Sequence, residues 1–291
     1  MRPVHHRPDR VRSAESSSAA STSTLSLSDV QLIEQAEGDA FRRFLTGPPA
    51  ATRRELGITA RQFGGAMATA MLEDPSSFWT KSVGLGFDVP ITADSLTEII
   101  SFFRGAGKES GLLALAPQVL PQNWDRLYKA AGLVASGVWS KFACRVTDFV
   151  PMTTDLEVHA LTADDTEAWA VIVREAFGML GPDPGPLLRA VFDDSEARVF
   201  GARDGDQLVG AGAVYFVGDV AAFNTGATLP THRRRGVQSA LLTARAAAAS
   251  DHGCRLLTAE TGPAPGNPSY RNMVRAGLTH QYDRTNWLWT A

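Results

Sequence analysis

Cysteine is nearly absent. Cys144 and Cys254 are the only two in 291 residues and stand far apart, which excludes a disulfide scaffold and a thiolate zinc cluster and makes a reducing, cytoplasmic setting the expectation. Long apolar runs are missing too: none reaches the roughly 20 residues of a membrane-spanning helix, so no membrane partner is expected. Nor does one sign of charge prevail. The net charge is −3 and no aromatic residues interleave the arginines, which argues against a nucleic-acid partner. The only adjacent histidines, His5-His6, are too short a pair for a metal site, and no metal is expected.

The first 28 residues are Ser-rich, lack the apolar core of a secretory signal, and carry Asp9 and Glu15, which count against a transit peptide; they read as a disordered tail. Beyond them the chain is apolar enough, at 44% overall, for one large domain or two ordinary ones. Two are expected, over residues 29–148 and 156–291. In the first, Asp29 reads as the cap of a helix carrying Val30, Ile33 and Phe41 and ended by Gly47-Pro48-Pro49. Phe63 to Leu72 and Trp79 to Leu85 read as strands around an Asp74-Pro75-Ser76-Ser77 turn. Asp94 then caps a helix with Leu96, Ile99, Ile100 and Phe103 on one face. Leu112 to Ala116 is a strand, Gln122 to Ala131 a helix and Gly137 to Cys144 a strand. This order belongs to an α/β, layered fold.

The second half opens with a strand from Leu156 and a helix containing Trp169, Ile172 and Val173, broken by Gly181 to Gly185. Leu187 to Phe192 is a short helix and Ala197 to Ala202 a strand. Leu208 to Phe216 and Ala221 to Leu229 form a hairpin about Gly218-Asp219, stopped by Pro230. Next, Val237, Ala240, Leu241, Ala244 and Ala248 mark the apolar face of a helix, with Gln238, Ser239, Thr243 and Arg245 elsewhere on the wheel. Residues 233–239 therefore occupy a strand-to-helix turn, where free N–H groups, the helix dipole, Gly236 and three arginines make a seat for an anion. A solvated arginine run capping a helix is the competing reading. Downstream come a strand from Cys254 to Glu260, a helix begun by Asn267-Pro268, and a closing strand from Gln281 to Trp289.

The turn Arg233-Arg234-Arg235-Gly236-Val237-Gln238 and its helix resemble the acyl-CoA pyrophosphate loop of GNAT-type N-acetyltransferases. The segment NPSYRNMVRAGL resembles that family's second signature, so the likeness covers residues 156–289 with both motifs in order. Gln238 departs from the pattern, standing where it has a small residue. A literal match of the loop spacing at Arg61, Gly64 and Ala66 fails on context, since no strand precedes it and no helix follows. Residues 29–148 read as a degenerate, GNAT-like half. The resemblance implies tandem domains, each a mixed, mostly antiparallel sheet flanked by helices.

It also implies an enzyme that transfers an acetyl group from acetyl-CoA, its acyl donor, to an amine by direct attack. The backbone of Gly226, Ala227 and Thr228 would hold the pantetheine and thioester. Amides of Arg234, Arg235, Gly236, Val237, Gln238 and Ser239 would hold the pyrophosphate, and Asn267 the pantetheine arm. Where many members have a tyrosine acid this chain has Met273, which has no proton to donate. Tyr270, nearly one turn earlier, is the substitute candidate, and Glu260 the candidate base; packing on its own turn and satisfaction at a strand end are the respective competing readings. The alternative to an enzyme is a catalytically silent CoA-binding regulatory or scaffolding protein. A small-molecule or protein amine stays open as acceptor, as does a homodimer.

Overall fold

The computed structural model describes residues 25–74, 78–178, 185–263 and 266–291. Most of the expected tail, the turn through Pro75, Ser76 and Ser77, residues 181–184 of the Gly/Pro break, and residues 264–265 lie outside the described residues.

Helix α1 (Leu27–Thr46) is capped by Ser26, not Asp29. The Asp29 N–H donates to Ser26 Oγ while the Asp29 carboxylate accepts from the Ser26 N–H, each at 3.2 Å. This reciprocal box places Asp29 inside the first turn. After α2 (Ala50–Glu55) come β1 (Ile58–Phe63) and β2 (Ala66–Met71), an antiparallel hairpin turning at Gly64-Gly65. The single strand expected over 63–72 is thus one arm and its turn; Gly64, at φ +58°, takes the left-handed backbone that the turn requires. β3 (Lys81–Val83) follows, then α3 (Ala93–Gly105), whose box pairs Thr92 with Ser95 rather than using Asp94. β4 (Ser110–Leu115), α4 (Trp124–Ala130) and β5 (Leu133–Arg145) complete the half.

The second half repeats this order after an added strand, β6 (Glu157–Ala160): α5 (Thr166–Phe177), α6 (Gly185–Arg189), β7 (Ala197–Asp204), β8 (Gln207–Val217), β9 (Val220–Thr228), α7 (Val237–Asp251), β10 (Leu256–Thr261), α8 (Pro268–Arg275) and β11 (Thr279–Thr290). The strands form one mostly antiparallel sheet in the order β1-β2-β3-β4-β11-β5-β10-β9-β8-β7-β6. β3/β4 and β9/β10 are its parallel neighbours.

That order exchanges the closing strands of the two halves. β11, the end of the second half, lies against β4 of the first, from Thr285↔Leu115 to Thr290↔Ser110. β5, the end of the first, lies against β10, from Leu256↔Arg145 to Thr261↔Ser140. β5 and β11 also pair with each other along most of their length, so a pseudo-twofold runs between them. Helix α1 crosses both halves, touching β2 and β3 as well as β8, β9 and β10. On the opposite face α3 lies over β4 and α7 over β8. Gly210 lets α7 approach closely: a Cβ there would stand 2.2 Å from Val237 Cγ1.

Candidate functional site

The hairpin arm β9 ends at Thr228, and a short 3-10 turn from Pro230 to His232 leads to the arginine run. Two residues then take left-handed backbone, Arg234 at φ +65° and Gly236 at φ +84°, and this bend starts α7. No side chain caps α7, so the N–H groups of Val237, Gln238 and Ser239 are left for an external acceptor at the positive end of a 15-residue helix. The equivalent turn of the first half is closed. There the Thr92 hydroxyl accepts from the Ser95 N–H at 3.2 Å, and Leu85 and Ile91 are buried in front of the helix. Arg61, Gly64 and Ala66 lie in the β1–β2 hairpin, with no helix after them.

Around the open turn, Arg233 and Arg234 are exposed. Arg235 Nη1 lies 2.7 Å from the Asp204 carboxylate, so its side chain has a partner and its backbone amide is what it offers. His232 is 13% exposed with Nε2 3.6 Å from the same carboxylate. Gln238 turns its amide toward α8, donating to Ser269 Oγ and accepting from Asn272 Nδ2. The larger side chain is thereby carried sideways and locks α7 to α8.

Beyond the turn, β9 and β10 separate. Their parallel pairing runs from Leu256↔Val220 to Thr258↔Ala222 and stops, although β9 continues to Thr228 and β10 to Thr261. Gly226, Ala227 and Thr228 line the β9 side of this slot. Opposite β8, β9 carries a bulge between Asn224 and Ala227, with Thr225 at φ +48°. Thus the strand ends diverge where the uncapped helix begins.

Glu260, on β10, stands at the edge of a buried ion cluster that no local pattern in the chain foretells. Arg284 donates to Glu260, to both Glu34 oxygens (3.0 and 2.9 Å) and to both Glu37 oxygens (2.9 and 2.6 Å). Lys141 pairs with Glu37 and lies 3.7 Å from Glu34, which also accepts from the Tyr282 hydroxyl at 2.7 Å. Burial opposes the charge on Glu260, but Arg284, Lys141 and Lys81 outweigh it and hold the carboxyl below its usual range. Desolvation pushes Lys81 and Lys141 down to about 8 each. Glu260 keeps a side-chain exposure of 21%, so it is the cluster's outlet and stays an anion at neutral pH. An anion so held suits the reception of an ammonium group better than the removal of a proton.

Tyr270 packs edge-on against Phe142 at 4.7 Å and leans on His280 at 5.8 Å. Its hydroxyl has no hydrogen-bond partner among the described residues. Met273 is buried in the main core. Asn267 caps α8, accepting from the Ser269 N–H at 2.9 Å and donating to Thr261 Oγ1 (3.0 Å) and the Gly262 carbonyl (2.7 Å). Its side chain therefore fastens the end of β10 to α8. Arg245, expected off the apolar face, is 3% exposed beneath the β9 bulge. The signal was in the spacing, since Val237, Leu241 and Arg245 recur every four residues on one stripe.

Residues 163–277 match the profile of the acetyltransferase (GNAT) family. No curated protein matches the chain in sequence. Among solved structures, a GCN5-related N-acetyltransferase from Kribbella flavida is similar at TM-score 0.62 and 16% identity, covering 88% of this chain and 95% of its own. A tandem GNAT protein from the clavulanic acid biosynthesis pathway is similar at TM-score 0.55 and 14% identity, covering 90% and 94%. A GCN5-related N-acetyltransferase from Sphaerobacter thermophilus reaches TM-score 0.53 at 16% identity over 67% and 65% of the two chains. At these identities the likeness is one of fold.

Proposed function

We propose, for a chain whose C-terminal half carries a GNAT acetyltransferase domain in a tandem fold, that it is an acyl-CoA-dependent N-acyltransferase with one donor site, in that half. The observation that carries the reading is the contrast between the two helix N-termini: α7 is uncapped and faces a slot between diverging strands, whereas α3 is sealed by its own threonine. Residues 29–148 accordingly act as a degenerate partner. Acetyl-CoA fits the open site by chemistry. Its pyrophosphate would meet the amides of Arg234 through Ser239, and its pantetheine the backbone of Gly226 to Thr228 on the side turned away from β8, where pairing with β10 has stopped. Asn267 supports the slot by fixing the end of β10. Bound there, the donor supplies an activated acyl carbon. What the protein adds is placement of an amine against that carbon, with the Glu260 anion attracting the incoming ammonium, which gives its extra proton to water before the neutral amine attacks. Tyr270, with its free hydroxyl, is the candidate proton donor to the departing thiolate. A cytoplasmic setting and an amine acceptor, small molecule or protein, complete the reading. Among the described residues no helix is long and apolar enough to cross a membrane.

The second reading, a CoA binder without turnover, is favoured by Met273, which is buried and brings no proton to the slot. Calorimetric titration with acetyl-CoA tests the first claim: one site per chain is expected. Release of free thiol against a panel of amines then separates the readings, since a silent binder gives binding and no thiol. Absence of binding overturns both.

A further inference from the structure

Arg245 sits in the middle of α7 with its side chain in the core, 3% exposed. Its guanidinium reaches up to the β9 bulge. Nε donates to the Leu241 carbonyl at 3.0 Å, and Nη1 to the carbonyls of Asn224 (3.2 Å) and Ala213 (3.4 Å), one from each strand of the bulged pair. The cation also lies over the Phe223 ring, 4.7 Å from its centre. Nη2 has no acceptor among the described residues. It is the guanidinium atom nearest to Gly226, where a Cβ would stand 3.7 Å away. No carboxylate within salt-bridge distance compensates the charge among the described residues; burial alone acts on the group, lowering its pKa to about 10 and leaving it a cation at neutral pH.

A buried guanidinium without a counter-ion is costly to keep, and evicting it would be simple, because methionine or leucine fits the same stripe. Carbonyl dipoles and an aromatic face offset part of that cost. They leave one donor atom turned toward the residue assigned above to the thioester. Two features thus meet at one point: a bulge in β9 and an uncompensated cation with an unused N–H donor.

We propose that Arg245 is an electrostatic residue of acyl transfer, fixing a positive charge beneath the sulfur of the donor. The inference rests on the CoA-binding reading above. In the transfer the amine nitrogen bonds to the acyl carbon, the carbon–sulfur bond breaks with its electron pair going to sulfur, and the amine proton passes to a base or to water. The sulfur thus leaves as a thiolate. A fixed cation below it stabilises that charge without giving up a proton, until Tyr270 or water protonates the released thiolate.

The test needs no acceptor. Coenzyme A itself is bound to the full chain and its thiol titrated by thiolate absorbance, with desulfo-coenzyme A as the binding control. The thiol of free coenzyme A, titrated in the same buffer, is the reference, and the bound thiol is expected at least about one unit lower. In Arg245→Met the value should return to that of the free thiol, with Arg245→Lys intermediate, while affinity for the desulfo compound changes less than threefold. A purely structural role predicts equal losses for both ligands and no change in the thiol titration, and that result overturns the proposal. So does an unshifted thiol in the unaltered protein, which requires no variant to fold. Failure of the unaltered protein to bind either ligand overturns instead the CoA-binding reading beneath it.

Discussion

Gly236 shows how a single residue's backbone determines a site. At φ +84° it holds the bend that exposes the first amides of α7, and a Cβ there would meet Thr154 Cγ2 at 3.0 Å. Valine adds both strain and a clash, so Gly236→Val should lose at least about tenfold in acetyl-CoA affinity, roughly 1.4 kcal/mol by the usual conversion. Unchanged affinity in a calorimetric titration would show that the anion seat lies elsewhere. This residue was legible in the sequence because a glycine between a strand and an amphipathic stripe marks a bend that side-chain-bearing residues resist. Arg245 and the ion cluster were less so. A charged residue on an apolar stripe or alternating along a strand reads as solvent-facing by composition, and only partners far away in sequence, such as Glu34 for Arg284, make its burial tolerable.

At the scale of elements, most helices and strands followed from periodicity, and the errors came where local signals compete. Asp29 and Asp94 are sound capping residues by type, yet Ser26 and Thr92 hold the caps because each finds a reciprocal partner three residues on. The β1–β2 hairpin turns at Gly64-Gly65, a two-residue turn signal that the single-strand reading passed over because the flanking Ala, Met, Arg and Gln residues mark neither strand strongly. The same elements decide between the two loop matches. Arg61 lies in β1 with its guanidinium over the Phe63 ring at 4.8 Å, far from any open helix end. Arg61→Ala should therefore leave acetyl-CoA affinity within about twofold of the unaltered protein. A loss comparable to that of Gly236→Val would show a second donor site. At the proposed loop, Gln238→Ala should loosen α7 from α8, and hydrogen exchange in the first turn of α8 is the measurement that reports it.

The whole molecule is organised by something no local pattern carries: the exchange of β5 and β11 between halves. Order of elements was readable from residues alone and the tandem arrangement followed from the family resemblance, but which strand lies beside which is set by pairing across the pseudo-twofold. β11 inserts between β4 and β5 because its alternation serves two faces at once, Tyr282 and Arg284 toward α1 and Trp289 toward α3. Neither half then closes its own sheet. Expressed alone, residues 151–291 lack the strand between β10 and β11, and residues 25–150 lack the one that covers β4. Each fragment should show no cooperative melting, while the two mixed should regain it; a cooperative transition in either fragment alone would refute obligate exchange. The ion cluster fastens this junction, since its groups come from α1, β5, β10 and β11. Glu34 and Glu260 are both held below the ordinary value of 4.5 by Arg284 and Lys141, against the opposing effect of burial. For carboxyls whose pKa is depressed in the fold, the stability they contribute is present above 4.5 and is lost as pH falls through the folded values. Arg284→Met leaves three carboxylates, Glu34, Glu37 and Glu260, without the guanidinium they share. It should cost about 3–5 kcal/mol at pH 7 in denaturant titrations. It should also flatten the decline in stability below pH 4.5, because carboxyls no longer held down by the guanidinium gain little from deprotonation. If stability at pH 7 is unchanged, the cluster does not fasten the exchanged strands, and the apolar pairing of β5 with β11 must hold the halves together alone.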